Sequence, residues 1–173
     1  MTGLVLISKE PSCRGLHECL RGHEQSGIHK NCICGSGAAG ALALLYSMGV
    51  SIADAEKAIS EAALCGDIGE AEAVFGSYIG AAGGDSLGYC VPVMDTASLA
   101  QYSYTNIEAL ISSAIEAGLS KSVSPSLVAA SAVFGLCPGF GYLGRTYSAG
   151  RENPEFCINC LKRIGCERTV LEG

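Results

Sequence analysis

The chain has no tryptophan, only 6% aromatic residues and only 16% charged ones. So few aromatics leave no platform on which bases could stack. Lys and Arg number 11 against 17 Asp and Glu, for a net charge of −6. That balance excludes a nucleic-acid protein whose affinity rests on neutralising phosphates. A convincing membrane span is also lacking. An uncharged stretch long enough to span, Ser122 to Gly144, is interrupted by Pro125, Pro138 and several glycines, and it reads as a buried helix followed by a turn. The opening MTGLVLISKEPSC has no basic leader, no long apolar run and no small-residue cleavage site, so the reading is a cytoplasmic protein. P-loop, H-E-x-x-H, G-x-S-x-G and EF-hand patterns are missing. Gly139-Phe140-Gly141-Tyr142-Leu143-Gly144 spells G-x-G-x-x-G. It follows a Cys-Pro stop and precedes a polar loop, which is not the strand–turn–helix setting that a dinucleotide fingerprint needs.

What the chain does have is sulfur. There are ten cysteines in 173 residues, with 23 glycines and 49% hydrophobic residues. That composition suffices to bury a core without staples. Ten cysteines without an export signal read as metal ligands or redox thiols rather than as a disulfide framework.

The sequence reads as a single domain over 1–173, mostly α, built from small-residue-rich helices flanked by cysteine-bearing segments. Residues 1–35 carry four cysteines and all three histidines, His17, His23 and His29. Residues 36–136 form an Ala- and Gly-rich helical core. It is acidic from Ser36 to Ser120, where Lys57 is the one base and Asp85 one of the carboxylates. Residues 137–173 are cysteine-rich and basic.

Within the core, Ser36 is read as the cap of a helix ended by Gly49. Ser51 with Asp54, and Thr105 with Glu108, have capping-box spacing. A further helix over Glu70–Ile79 would stop at the Gly80–Gly84 run. Ser124-Pro125 combines a cap with a proline at the first helical position. Strand candidates are two: LVLIS near residues 4–8, and YCVPV at 89–93, which its proline assigns to a sheet edge.

Two ligand sets follow from spacing. Cys157, Cys160 and Cys166 make a C-x2-C-x5-C run, in which the first pair reverses onto one ion. Cys137, before Pro138, completes a set of four. Phe156, Ile158, Leu161 and Ile164 are interleaved as a dry shell, and Lys162, Arg163 and Arg168 offset thiolate charge. The second set is Cys13, Cys19, Cys32 and Cys34, with the histidines as optional nitrogen ligands. Cys34, just ahead of a helix N-terminus, is expected to ionise easily. Cys65 and Cys90 stand apart beside glycine-bearing turns.

The expected function is an iron–sulfur protein carrying [4Fe–4S] or [2Fe–2S] clusters. It would act in electron transfer or as a subunit of a larger anaerobic redox complex, with a protein partner or a homo-oligomer implied. One alternative is a lyase or redox enzyme using an open cluster site or a reactive Cys65 or Cys90. The other is an interaction module stapled by zinc.

Overall fold

The computed structural model describes residues 1–8, 10–83 and 87–173. Gly84 of the expected glycine stop and Asp85 of the acidic stretch lie outside them. The chain is an α/β protein, 47% helix and 21% strand, and not mostly α. In order the elements are β1 (Thr2–Ile7), α1 (Arg14–Gln25), β2 (Cys32–Gly35), α2 (Ala39–Ser47), α3 (Ile52–Ala63), α4 (Ile68–Ala82), β3 (Gly88–Asp95), β4 (Gln101–Thr105), a 3-10 turn (Glu108–Leu110), α5 (Ala114–Ser122), α6 (Pro125–Phe134), β5 (Phe140–Tyr142), β6 (Arg145–Ser148), α7 (Pro154–Arg163) and β7 (Glu167–Glu172).

The strands form one mixed sheet. β7, β1, β2 and β3 run parallel in that spatial order. β4 pairs antiparallel along β3 from Cys90 to Met94, and β6 pairs antiparallel with β3 at Met94 and Asp95. The β5–β6 hairpin continues from there. Its turn residues Leu143 and Gly144 both have positive φ, 46° and 75°, the signature of a tight hairpin turn. The G-x-G-x-x-G of residues 139–144 is therefore hairpin, not a nucleotide cradle.

The mostly-α expectation fails because several strands are short and carry cysteine, tyrosine or charge instead of the aliphatic runs that announce strands. β2 is Cys-Ile-Cys-Gly, β4 is Gln-Tyr-Ser-Tyr-Thr and β7 is Glu-Arg-Thr-Val-Leu-Glu. The proline in β3 also misleads, because that strand is central. Ser103, opposite Pro92 in the register, sends its N–H outward to Glu116 Oε1 at 3.0 Å. The pair is thus of the non-hydrogen-bonded kind. Pro92's missing N–H then falls on the other edge of β3, between the stretch paired with β2 and the stretch paired with β6.

Helix starts follow the caps more closely. Ser51 Oγ accepts from Asp54 N (3.1 Å) and Ser124 Oγ from Leu127 N (3.3 Å). Thr105 instead ends β4, and α5 starts at Ser113, whose side chain accepts from Glu116 N. Ser36 does not cap α2. Its hydroxyl accepts from Asn153 N at 3.0 Å. α4 is longer than expected, opening on Asp67 and running through Gly80 to Ala82. Ser122–Gly144 is spread over α5's end, α6, a loop and β5, and no helix among the described residues is long and apolar enough to cross a membrane.

Strand alternation divides the buried side chains into two layers. Leu4, Leu6, Ile33, Tyr89, Val91 and Val93 join the aliphatic and alanine side chains of α1, α2, α3, α4 and α6. Val5, Cys32, Cys34 and Cys90 point the other way, towards α7 and the 3-10 turn. On the first side, Gly40 lets α2 settle on the sheet: a Cβ there would stand 2.9 Å from Val91 Cγ1.

Candidate functional site: a buried six-thiol cluster

β2 alternates Cys32-Ile33-Cys34, so both cysteines project from one face of the sheet. Cys34 is the register partner of Cys90 on the neighbouring parallel strand. Above this face lies α7, started by Asn153, which accepts from Phe156 N, and by Pro154. Cys157 and Cys160 are three residues apart and so share a side of that helix. Here the C-x2-C is a helical pair and not the turn expected from its spacing. Cys166 ends the connection into β7, with its N–H bonded to Leu161 O. Six cysteines thus converge between sheet and helix: Cys32, Cys34, Cys90, Cys157, Cys160 and Cys166. None is more than 4% exposed. Val5, Leu110 and Leu161 are buried with them, and Ile7, Ile107, Phe156, Ile158 and Ile164 form a half-buried apolar wall.

The thiols contact one another. Cys34 and Cys90 are packed side by side as register partners, with Cys157 and Cys160 in the same buried cluster. Cys32 Sγ lies 3.4 Å from Cys166 Sγ, and Ser103 Oγ lies 3.8 Å from Cys160 Sγ. These contacts separate the thiols' acidities. The neighbouring Cys160, Cys34 and Ser103 hold Cys90 well below the ordinary thiol range, against the burial that raises it. Cys34 is pushed well up by the neighbouring Cys157 and Cys90 and by burial. Cys160 is pushed up by Cys90 and then by burial. Burial, then Cys166, drives Cys32 up to about 12. The expectation that Cys34 ionises easily at a helix N-terminus therefore reverses. Its neighbours are thiols, and its side chain faces away from α2.

Chemically the donor set is soft sulfur in an apolar shell, which suits iron, zinc or copper(I) and disfavours magnesium or calcium. Four sulfurs about 2.3 Å from one ion stand about 3.8 Å from each other, close to the 3.4 Å seen between Cys32 and Cys166. As they stand, no group of three or more His, Cys, Asp or Glu among the described residues is already arranged to hold an ion. Loading would turn thiol side chains that now point at each other towards a shared centre.

The two sequence-derived sets are redistributed. From the C-terminal set, Cys157, Cys160 and Cys166 are together, while Cys137 is exposed in the loop after α6. From the N-terminal set, Cys32 and Cys34 join the cluster. Cys13 packs in the aliphatic layer beyond the sheet, and Cys19 is exposed, its Sγ donating to Glu172 O at 3.3 Å. Cys90, set apart by the sequence reading, lies within the cluster beside Cys34. The missed signals were period-2 alternation in Cys32-Ile33-Cys34 and helical spacing in Cys157 and Cys160.

Other candidates look different in place. Cys65 donates to Glu61 O at 3.4 Å, and burial with the carboxylates of Glu70, Asp67 and Glu61 pushes its thiol up. That is the wrong direction for a nucleophile. Cys90, at 0% exposure, has no surface on which to meet a substrate. His29 is exposed, but His17 and His23 are buried on α1 and not solvated. Lys162, Arg163 and Arg168 are exposed on the outer side of α7 and β7, and none reaches a sulfur in a hydrogen bond.

Gly35, Gly37 and Gly40 carry a second G-x-G-x-x-G, this one in the strand–turn–helix setting between β2 and α2. Here the glycines serve packing. Ser36 is bonded to Asn153, and the Glu152 side chain lies over Gly37, so a carboxylate covers the turn.

No protein-family description, curated protein or solved structure matches this chain.

Proposed function

We propose that this is a thiolate-ligated metal protein acting in electron transfer, alone or as a subunit of a larger redox complex in a reducing cytoplasm. The observation that carries the reading is the convergence of Cys34, Cys90, Cys157 and Cys160, from two strands and one helix, in a dry apolar layer. These four residues are the ligands of the centre. The metal would supply a one-electron couple. The chain's own part is to exclude water, fix the sulfur positions and set the potential through Ser103 and the apolar wall. A partner for the electron would approach over α7, the helix that covers this layer, whose outer side carries Lys162 and Arg163.

A single iron on four cysteines needs no room beyond the thiols themselves. A [2Fe–2S] or [4Fe–4S] cluster would also need room for its sulfides, and α7 would have to lift. The zinc-staple alternative is less well supported, because the opposite layer already supplies a full core, with Tyr104, Phe75, Leu4 and Leu42 wholly buried. Such a fold does not need a metal to form.

Metal and acid-labile sulfide analysis of anaerobically purified protein, with a visible spectrum, tests the reading. Iron without sulfide is the expected result. Iron with equal sulfide would keep the redox role and require the larger cluster. Zinc alone would replace electron transfer with a structural site, and no metal would overturn the proposal.

A further inference from the structure

Cys32 and Cys166 lie beyond the four proposed ligands, and their geometry is unusual. β2 and β7 are not neighbours, because β1 runs between them. The two sulfurs nevertheless meet at 3.4 Å. They do so above Gly3, the register partner of Cys32 on β1. A Cβ at Gly3 would stand 2.7 Å from Leu161 Cδ1 and 3.0 Å from Cys32 Sγ. The absent side chain is what opens the space in which the sulfurs approach. Their separation is close to the about 3.8 Å between two thiolates on one tetrahedral ion.

The arrangement of all six thiols is ordered. Cys157 and Cys160 stand at the α7 end. Cys32 and Cys166 stand at the other end, near the start of β2 and β7. Cys34 and Cys90 lie between them: Cys34 shares its strand face with Cys32 and is the register partner of Cys90, and Cys90 stands on the strand beside β4, whose Ser103 touches Cys160. Two tetrahedral ions that share two bridging thiolates need six sulfurs in all, two bridging and two terminal on each ion.

We propose that the cluster is a two-ion site for soft or borderline divalent metals, with Cys34 and Cys90 bridging, Cys157 and Cys160 terminal on one ion, and Cys32 and Cys166 terminal on the other. This rests on the metal-protein reading above and adds to it a second ion and two further ligands. The six sulfurs give up their protons as the ions enter, so uptake releases protons and strengthens with pH.

Cobalt(II) titration of the reduced, metal-free full chain under anaerobic conditions tests the inference, with native mass spectrometry to count ions. The wild-type chain is expected to take two cobalt ions. The high-spin signal should grow through the first equivalent and weaken through the second, as bridging thiolates couple the two spins. Cys32→Ser and Cys166→Ser should each stop at one ion and keep the uncoupled signal. Cys137→Ser and Cys19→Ser should still take two, and circular dichroism of each metal-free variant checks that the fold is intact. A wild-type chain that saturates at one ion, unchanged by Cys32→Ser, would overturn the two-ion site and leave the four-cysteine centre standing. Two ions that bind without coupling, or that survive Cys32→Ser, would also overturn it. No binding at all would overturn both readings.

Discussion

The two sides of the sheet are built from different chemistry. On one side, leucine, isoleucine, valine and alanine from α1, α2, α3, α4 and α6 fill the space. On the other, a single helix covers six cysteines and a handful of aliphatic side chains. Adjacent residues on one strand serve opposite sides: Leu4 belongs to the aliphatic layer and Val5 to the sulfur layer. A layer of branched aliphatics is stabilised by area removed from water. A layer of thiols gains less from burial and has donors that satisfy each other only in pairs. The first layer therefore holds the fold, and the second is free to be shaped for a ligand.

The largest effects should separate the layers. Leu4→Ala is expected to lower stability by about 2–5 kcal/mol in urea unfolding while leaving cadmium or cobalt uptake unchanged. Leu161→Ala, which removes the aliphatic anchor of α7 among the thiols, should cost a similar amount and also weaken metal uptake at least tenfold. Equal loss of uptake in both variants would mean that the layers are not independent. Next in size is Cys90→Ser. A hydroxyl smaller than the sulfur would leave Cys34 and Cys160 poorly partnered, costing about 1–3 kcal/mol in the metal-free chain. The same change at exposed Cys19 should be close to neutral.

The layers also differ in which end of the pH scale weakens them. His17 and His23 are buried on α1 with no hydrogen-bond partner on either ring nitrogen, and burial is the main cause that lowers both below the ordinary histidine value. Their contribution is complete above about pH 6.5, where the unfolded imidazoles are neutral as well. It is lost as pH falls, because the unfolded chain takes up protons that the fold refuses, at up to about 1.4 kcal/mol per pH unit for each histidine. The sulfur layer behaves oppositely. Cys32, Cys34 and Cys160 are raised, so their contribution is complete below about pH 8.5 and is lost as pH rises towards their folded values. Cys90, lowered in the fold, does not restore it. Cys13 in the aliphatic layer, raised to about 11 by burial, adds to the alkaline loss, and above about pH 10 the buried tyrosines join it. Urea midpoints from pH 5 to 10 should therefore fall at both ends. His17→Gln should flatten the acid limb alone. Metal loading should flatten the alkaline limb alone, because ligated thiolates have no proton left to lose. A metal-loaded chain with an unchanged alkaline limb would argue that the thiols stay protonated.

This contrast also explains what the sequence disclosed. The aliphatic layer was largely legible. Ser51 with Asp54 and Ser124 with Pro125 mark their helices where the structure has them, and LVLIS marks β1. The sulfur layer was legible only as an abundance of cysteine. Its strands are short, and cysteine carries little strand preference, so Cys32-Ile33-Cys34 did not announce β2. Linear spacing grouped Cys13 and Cys19 with Cys32 and Cys34, but the sheet lies between Cys13 and the β2 pair. Cys90 looked solitary because its partners are brought to it by parallel pairing with β2 and by α7, and neither contact is local in the chain.

The smallest expected effect lies at the surface of the aliphatic layer, where Arg21 Nη2 meets Glu56 Oε2 at 2.7 Å with side chains 41% and 39% exposed. An exposed pair of this kind contributes about 0.2–1 kcal/mol, so Glu56→Gln should barely move the urea midpoint at pH 7. Its effect should grow in acid. The Glu56 carboxylate is the strongest influence favouring protonated His17, opposing the burial that lowers it. Without that charge the folded imidazole resists its proton further, and the gap from the unfolded value widens. The acid limb should then extend to lower pH than in the wild type, although the same change removes only a weak ion pair at neutrality. If Glu56→Gln shifts both ends of the pH profile by the same small amount, His17 does not feel Glu56, and the acid limb must be assigned to His23 and the carboxylates instead.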